Sequence, residues 1–486
     1  MLFNSLNFFV YFVVVVGTFF LLPHKLRSLW LLLSSCYFYM VFIPYYILIL
    51  FGTIVIDYVA GIVIHQASGP ARKLALMLSL VANVSVLGVF KYYDFIVSNC
   101  KLFLPESFFS GHFLPEHLGL VLPIGLSFHT FQAMSYTIEV YRKGAEVERN
   151  FVQYALYVMF FPQLVAGPIE RPQNILPQLR QRQSFDTGRI VRGLKLIVWG
   201  LFKKCVIADR LATIVDFAYD HPALAQNGSL ALATVFFGIQ IYCDFSGYSD
   251  IALGSAEVLG IRLMKNFRRP YFATSLSDFW TRWHVSLSTW FRDYLYIPLG
   301  GSHRGHVRAY RNILITFFVS GLWHGAAWTY VCWGGLNGLF LVTESILLSA
   351  KSFQILVGRL PLWLKISASR TVTVGVIMIT WVFFRARNLE DAAYILTHLG
   401  DNALIKVAYF RQGGMGASGL DWVVVFSALA LLFVVEYFEE RRQSWLVDLA
   451  DARSLQFQFL LYYGLLVLLM LFGVMDSQKQ FIYFQF

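Results

Sequence analysis

Charge is scarce in this 486-residue sequence: Asp, Glu, Lys and Arg make up 14% of it, against roughly a quarter of an ordinary soluble domain. So few charges cannot clothe a water-facing surface, which argues against a free soluble protein. Cysteine is also sparse. The five cysteines, Cys36, Cys100, Cys205, Cys243 and Cys332, lie far apart with no C-x-x-C spacing, so neither a zinc site nor a disulfide framework is expected. There is no G-x-S-x-G elbow, no G-x-x-x-x-G-K-[ST] loop, no H-E-x-x-H and no H-x-x-x-x-D, which argues against the corresponding hydrolases, ATPases, zinc proteases and soluble-type phospholipid acyltransferases. The lack of a D-x-D loop weighs against a metal-dependent glycosyltransferase. No internal repeat or low-complexity tract appears, and one membrane domain over 1–486 is the expectation.

Apolar residues dominate instead, at 57%, with 17% aromatic. A bilayer core about 30 Å thick needs roughly 20 apolar residues to be crossed as a helix. Windows of that kind fall near 7–22, 29–51, 52–64, 74–98, 118–138, 151–166, 191–207, 229–243, 312–331, 332–349, 371–384, 421–436 and 457–474. They are continuously apolar rather than alternating, so they read as helices, not barrel strands. The expected fold is therefore all-α and polytopic, with about 11–13 transmembrane or re-entrant helices. The first window has no small-residue cleavage site after it and is read as the first span.

The net charge is +11. In a membrane protein such an excess serves the positive-inside rule, and nucleic acid is not expected as a partner. The basic stretches 169–195 and 261–311 should face the cytoplasm, and the segment 101–119, with Glu106 and Glu116, the opposite side. The stretch 261–311 also carries Phe279, Trp280, Trp283, Trp290, Phe291, Tyr294 and Tyr296. Rings mixed with arginines suit a helix at the headgroup level. Asp278 and Arg282, at i and i+4, should brace it, and the run from Pro298 to Gly301 should end it.

Two histidines could carry chemistry. His324 lies between apolar runs in Ser320-Gly321-Leu322-Trp323-His324-Gly325, and an ionisable residue at membrane depth is by default a functional hypothesis. A buried neutral imidazole can serve as general base; the alternative is a structural histidine bonded between helices. Gly321 and Gly325 leave room for a helix or a substrate to come close. His284, if its segment is one helix, shares a face with Trp280, Ser288 and Phe291. Lys265, Arg268, Arg269, Arg282, Arg292 and Arg304 either fix the loop inside or form a mouth for a phosphate-bearing donor.

The run Phe279-Trp280-Thr281-Arg282-Trp283-His284 to Gly300-Gly301, followed by Gly321-Leu322-Trp323-His324-Gly325, resembles the core signature of the membrane-bound O-acyltransferase family. Leu122–Phe128, Pro162–Arg171, Asp244–Asp250 and Trp381–Ala386 resemble its bacterial branch that O-acetylates exported polysaccharides. The ending Phe481-Ile482-Tyr483-Phe484-Gln485-Phe486 is most similar to members acting on alginate. The resemblance implies helices around a central tunnel, with a catalytic core over about 120–390, His324 near its middle and His284 lining its cytosolic part. Both histidines are the expected catalytic residues. Trp280, Trp283, Ser288, Arg292, Asp293, Trp323, Asp244 and Asn337 are candidate substrate-binding residues, with Ser246 and Tyr248 in the same motif as Asp244.

It further implies acetyl-CoA as acyl donor, no bound cofactor or metal, residence in the inner membrane among its lipids, and two partners: a periplasmic acetyltransferase and a polysaccharide export complex. Acetylation of cellulose or peptidoglycan, D-alanyl transfer to teichoic acid, a non-catalytic transporter of acyl groups or polysaccharide, and an export scaffold with a structural His324 are the alternatives.

Overall fold

Proline and apolar run length set where the helices break. In the computed structural model, which describes residues 1–104, 115, 117–225, 228–303, 305–400, 414–474 and 481–482, the first helix, Leu6–Leu21, stops before Pro23 and the second runs over His24–Met40. The third, Tyr46–Gln66, starts after Pro44. A proline offers no N–H and disfavours helix in the residue before it, so the break expected near residue 51 falls at 41–45. Glu106, Glu116, Arg304 and residues 483–486 lie outside the described residues.

No strand occurs among the described residues, and the all-α expectation holds. Seven of their helices are long and apolar enough to cross a membrane: Tyr46–Gln66, Gly69–Cys100, Ser229–Val258, Trp328–Ser349, Leu362–Arg385, Gly419–Arg442 and Leu455–Phe472. Their outward faces are apolar as well. On Leu455–Phe472 only Tyr462, Leu465 and Leu469 are buried, while Leu460 is 73% and Met470 81% exposed. Water would penalise that face, and lipid does not. The protein is a multi-pass membrane protein.

The chain divides into two compact units, residues 1–197 with 248–264, and residues 198–247 with 265–486. In the first, Tyr46–Gln66 packs against Gly69–Leu87 and Leu126–Arg142. Asp57, fully buried at that junction, accepts hydrogen bonds from Ser79 Oγ at 2.6 Å and from Asn83 Nδ2 at 2.9 Å. Tyr136 lies so close over Gly61 that a Cβ there would come within 2.6 Å of its ring. A buried carboxyl demands such donors.

The second unit is built around His306–His324 and Trp328–Ser349, which contact each other more extensively than any other pair of described helices. The turn between them is Gly325-Ala326-Ala327, not the expected boundary near 331. His306–His324 is not among the seven long apolar helices, because Arg308, Arg311 and Asn312 make its first half polar. Within the same unit a widened turn at Phe202–Ala208 directs two lysines inward. Lys204 Nζ bonds Asp209 at 2.7 Å and Asp244 at 2.5 Å, and Lys203 Nζ bonds Ser246 Oγ at 2.9 Å.

Candidate functional site

The aromatic segment is not one helix. Leu276–Arg282 and Val285–Phe291 are separate, followed by a wide turn over Arg292–Tyr296 in which the Ile297 N–H donates five residues back to Arg292. The break lies at Trp283-His284, where His284 takes a left-handed conformation, φ +43°. That conformation costs a non-glycine residue about 1–2 kcal/mol and is held by the chain alongside. Arg268 N–H donates to Arg282 O and Val285 N–H to Asn266 O, both at 2.9 Å, and Ser286 N–H donates to Asn266 Oδ1 at 3.2 Å. His284 therefore does not share a helical face with Trp280. It sits between two helices as a fixed elbow.

The helix before the elbow is anchored at its start. Ser275 Oγ caps it by accepting from Asp278 N–H at 2.9 Å, and the Glu344 carboxylate accepts from Leu276 N–H at 2.7 Å and Ser277 N–H at 3.1 Å. Side-chain oxygens placed there satisfy otherwise orphaned donors and oppose the helix dipole. Asp278 and Arg282 pair as expected, at 2.7 Å. Arg282 also meets both oxygens of Glu440 at 3.0 Å, and Arg269 Nε meets Glu440 at 2.7 Å. These neighbours hold the Arg282 guanidinium's pKa above its usual value against the opposing effect of burial.

His324 closes the other side. It is the last residue of His306–His324 and 6% exposed. Trp323, Trp333 and Phe384 surround it edge-on, with ring centroids at 5.0, 4.9 and 5.3 Å. The flanking glycines serve the helix that follows. A Cβ on Gly321 would stand 2.3 Å from Tyr330 O, and one on Gly325 would stand 2.2 Å from the Tyr330 ring. Of the two close approaches expected there, a helix and a substrate, the structure has the helix.

A single cavity of about 570 Å³ is lined by both histidines together with Trp280, Trp283, Ser288 and Arg292. Arg268, Tyr296, Thr316, Phe317 and Ser320 line it too. Arg268 comes from the basic cluster expected at a donor mouth and Tyr296 from the aromatic run, whereas Thr316, Phe317 and Ser320 were missed by sequence reasoning, although Phe317 and Ser320 stand seven and four positions before His324 on one helical face. His284 is 1% exposed, packed edge-on against Phe245 at 4.6 Å and 6.3 Å from the Trp323 ring. Burial pushes its pKa down to about 3, so at neutral pH the ring is uncharged.

The remaining candidates stand apart from the cavity wall. Asp293 pairs with Arg292 at 2.8 Å. Asn337 Nδ2 turns back to Trp333 O at 2.8 Å. Asp244 bonds Lys204 and, at 2.9 Å, Ile482 N–H, with Phe481 over the Lys204 ammonium. The basic cluster separates in the same way: Arg269 and Arg282 bind Glu440, Lys265 lies over the Trp445 ring, and Arg268 and Arg292 remain at the cavity.

Residues 119–384, which include both histidines, match the family described as MBOAT, membrane-bound O-acyltransferase family. Among known proteins, the chain is 37% identical over 397 residues to a peptidoglycan O-acetyltransferase of Helicobacter pylori, covering 76% of this chain and 73% of that one. It is 38% identical over 398 residues to a probable alginate O-acetylase of Azotobacter vinelandii, covering 81% and 76%. To the probable alginate O-acetylase of Pseudomonas putida it is 32% identical over 507 aligned residues, the whole of both chains.

Proposed function

The chain belongs to the membrane-bound O-acyltransferase family, and from that premise we propose that it moves an acetyl group from cytosolic acetyl-CoA to the far side of the bacterial inner membrane, for O-acetylation of an exported polysaccharide such as alginate. As a member it is a multi-pass membrane acyltransferase. The acetyl group and the polymer class rest on the names of its relatives, which are O-acetylases of alginate and of peptidoglycan. The observation that carries the site is the one cavity shared by His324 and His284.

In this reading the donor's phosphates meet Arg268 and Arg292, and its thioester extends past the indoles to His324. An acceptor hydroxyl attacks the thioester carbonyl while the neutral His324 ring takes its proton. The new C–O bond forms, the C–S bond breaks, and the imidazolium returns the proton to the departing thiolate. General-base help of this kind is worth roughly 10²–10⁴-fold. His284, neutral and fixed at the elbow, lines the approach. The acceptor is presented by a periplasmic acetyltransferase working with the export complex.

The test is mass spectrometry of exported polysaccharide from a deletion strain carrying wild type or His324→Ala. The variant should insert at wild-type abundance and leave the polymer without acetyl groups. Normal acetylation from His324→Ala would defeat the mechanism, and the mass spectrum of the wild-type polymer names the substrate.

A further inference from the structure

The hydroxyls lining the His324 cavity separate by what they donate to. Thr281 donates to Asp278 O at 2.7 Å, Ser288 to Trp283 O at 3.1 Å, Thr289 to Val285 O at 2.8 Å and Thr316 to Asn312 O at 2.7 Å. A hydroxyl has one proton, so these four are committed to the backbone. Ser320 is different. It lines the cavity, is 8% exposed, and makes no hydrogen bond to any described residue. Serine and threonine inside helices ordinarily turn back to a carbonyl one turn earlier, as Thr316 does on this same helix. Ser277 and Tyr296, the other cavity hydroxyls without a described partner, are not buried.

Ser320 lies one turn before His324 on the helix His306–His324. Residues four apart point from the same face, with Cβ atoms about 5–6 Å apart. A carbonyl group fits in that gap, its oxygen toward the hydroxyl and its carbon within reach of an acceptor that hydrogen-bonds the imidazole. Around it the walls are the rings of Trp280, Trp283 and Phe317, a medium in which an oriented neutral donor is worth far more than in water.

We propose that Ser320 is a catalytic residue whose hydroxyl donates to the thioester carbonyl oxygen and stabilises the oxyanion that forms as the acceptor attacks. This rests on the acyl-transfer reading of the cavity. The acceptor's oxygen bonds to the acyl carbon and its proton passes to His324. The carbonyl electron pair moves onto the oxygen facing Ser320, then returns to expel the thiolate, which takes the proton from His324. Ser320 keeps its own proton throughout and forms no covalent bond.

The test uses inverted vesicles from cells expressing the full chain, titrated with acetyl-CoA and read by thiol release. Ser320→Ala removes a hydroxyl that holds nothing in the fold, so its thermal unfolding midpoint should match wild type. Its kcat should fall about 10²–10³-fold, the loss seen for one oxyanion donor, at unchanged KM for acetyl-CoA. Wild-type kcat in Ser320→Ala overturns the proposal, as does an equal loss traced to a lowered unfolding midpoint. Acetylated Ser320 in a single-turnover digest overturns it too, by making the residue a nucleophile. His324→Ala is run in parallel. Thiol release from that variant defeats the acyl-transfer reading itself, whereas a silent His324→Ala beside a fully active Ser320→Ala defeats only the role of Ser320.

Discussion

Gly321 and Gly334 meet backbone to backbone: a Cβ on Gly334 would lie 3.0 Å from Gly321 Cα and 2.3 Å from Phe317 O. That contact sets how near the helix bearing His324 comes to its neighbour, and none of the atoms involved is the far end of a flexible side chain. Gly321→Ala must separate the helices, at a cost typical of overpacking, about 1–3 kcal/mol. Because His324 sits three residues on, acetyl transfer should fall by at least about tenfold, as expected when reacting groups shift by an ångström. Thermal unfolding in detergent and polymer acetyl content are the measurements, and a Gly321→Ala protein at full activity would show the contact to be dispensable.

His284 gives a pH prediction with a definite sign. Its folded pKa is pushed down to about 3, whereas an unfolded histidine titrates near 6.5. Between those values the unfolded chain binds a proton that the folded one refuses, so stability falls as pH drops below about 6.5. Each pH unit in that window removes up to ~1.4 kcal/mol from this one group. Midpoints measured from pH 7 down to pH 5 should decline more steeply for wild type than for His284→Gln. Parallel slopes would mean that His284 is not the buried neutral ring described above.

Lys204 should be essential to the fold rather than to turnover. Its ammonium neutralises two buried carboxylates, Asp209 and Asp244, and Lys204→Met leaves both without a counter-charge. Removing one partner of a buried pair costs about 3–5 kcal/mol, enough to lower membrane abundance several-fold. The triple variant Lys204→Met, Asp209→Asn, Asp244→Asn should recover much of that loss, read as protein yield and unfolding midpoint. A single Lys204→Met variant at wild-type abundance would contradict the pairing.

The helical, membrane-spanning character was legible because run length and the lack of charge report on lipid directly. The histidine at position 324 was legible too: the sequence carries it between apolar runs with glycines on either side. What could not be read was how the 261–311 segment bends. Helical spacing grouped His284 with Trp280, but the backbone of Arg268 and Asn266 pairs with Arg282, fourteen residues on, and with Val285, nineteen residues on, and turns His284 into an elbow. Local periodicity contains no information about that non-local pairing. The same limit hid the fate of the arginines. Arg269 and Arg282 looked equivalent to Arg268 and Arg292 until Glu440, on a helix far along the chain, engaged the first pair and left the second at the cavity.

That distance has a consequence for how the protein is made. Arg282 and its carboxylate partner are separated by 158 residues, Arg269 and the same carboxylate by 171. During synthesis both arginines enter the membrane region long before Glu440 leaves the ribosome. For that interval Arg282 has only Asp278 beside it and Arg269 lacks its carboxylate, and the site is completed only when nearly the whole chain has arrived. A stalled or truncated nascent chain therefore holds its histidines and indoles without the clamp that arranges them, and the site is assembled only in finished molecules.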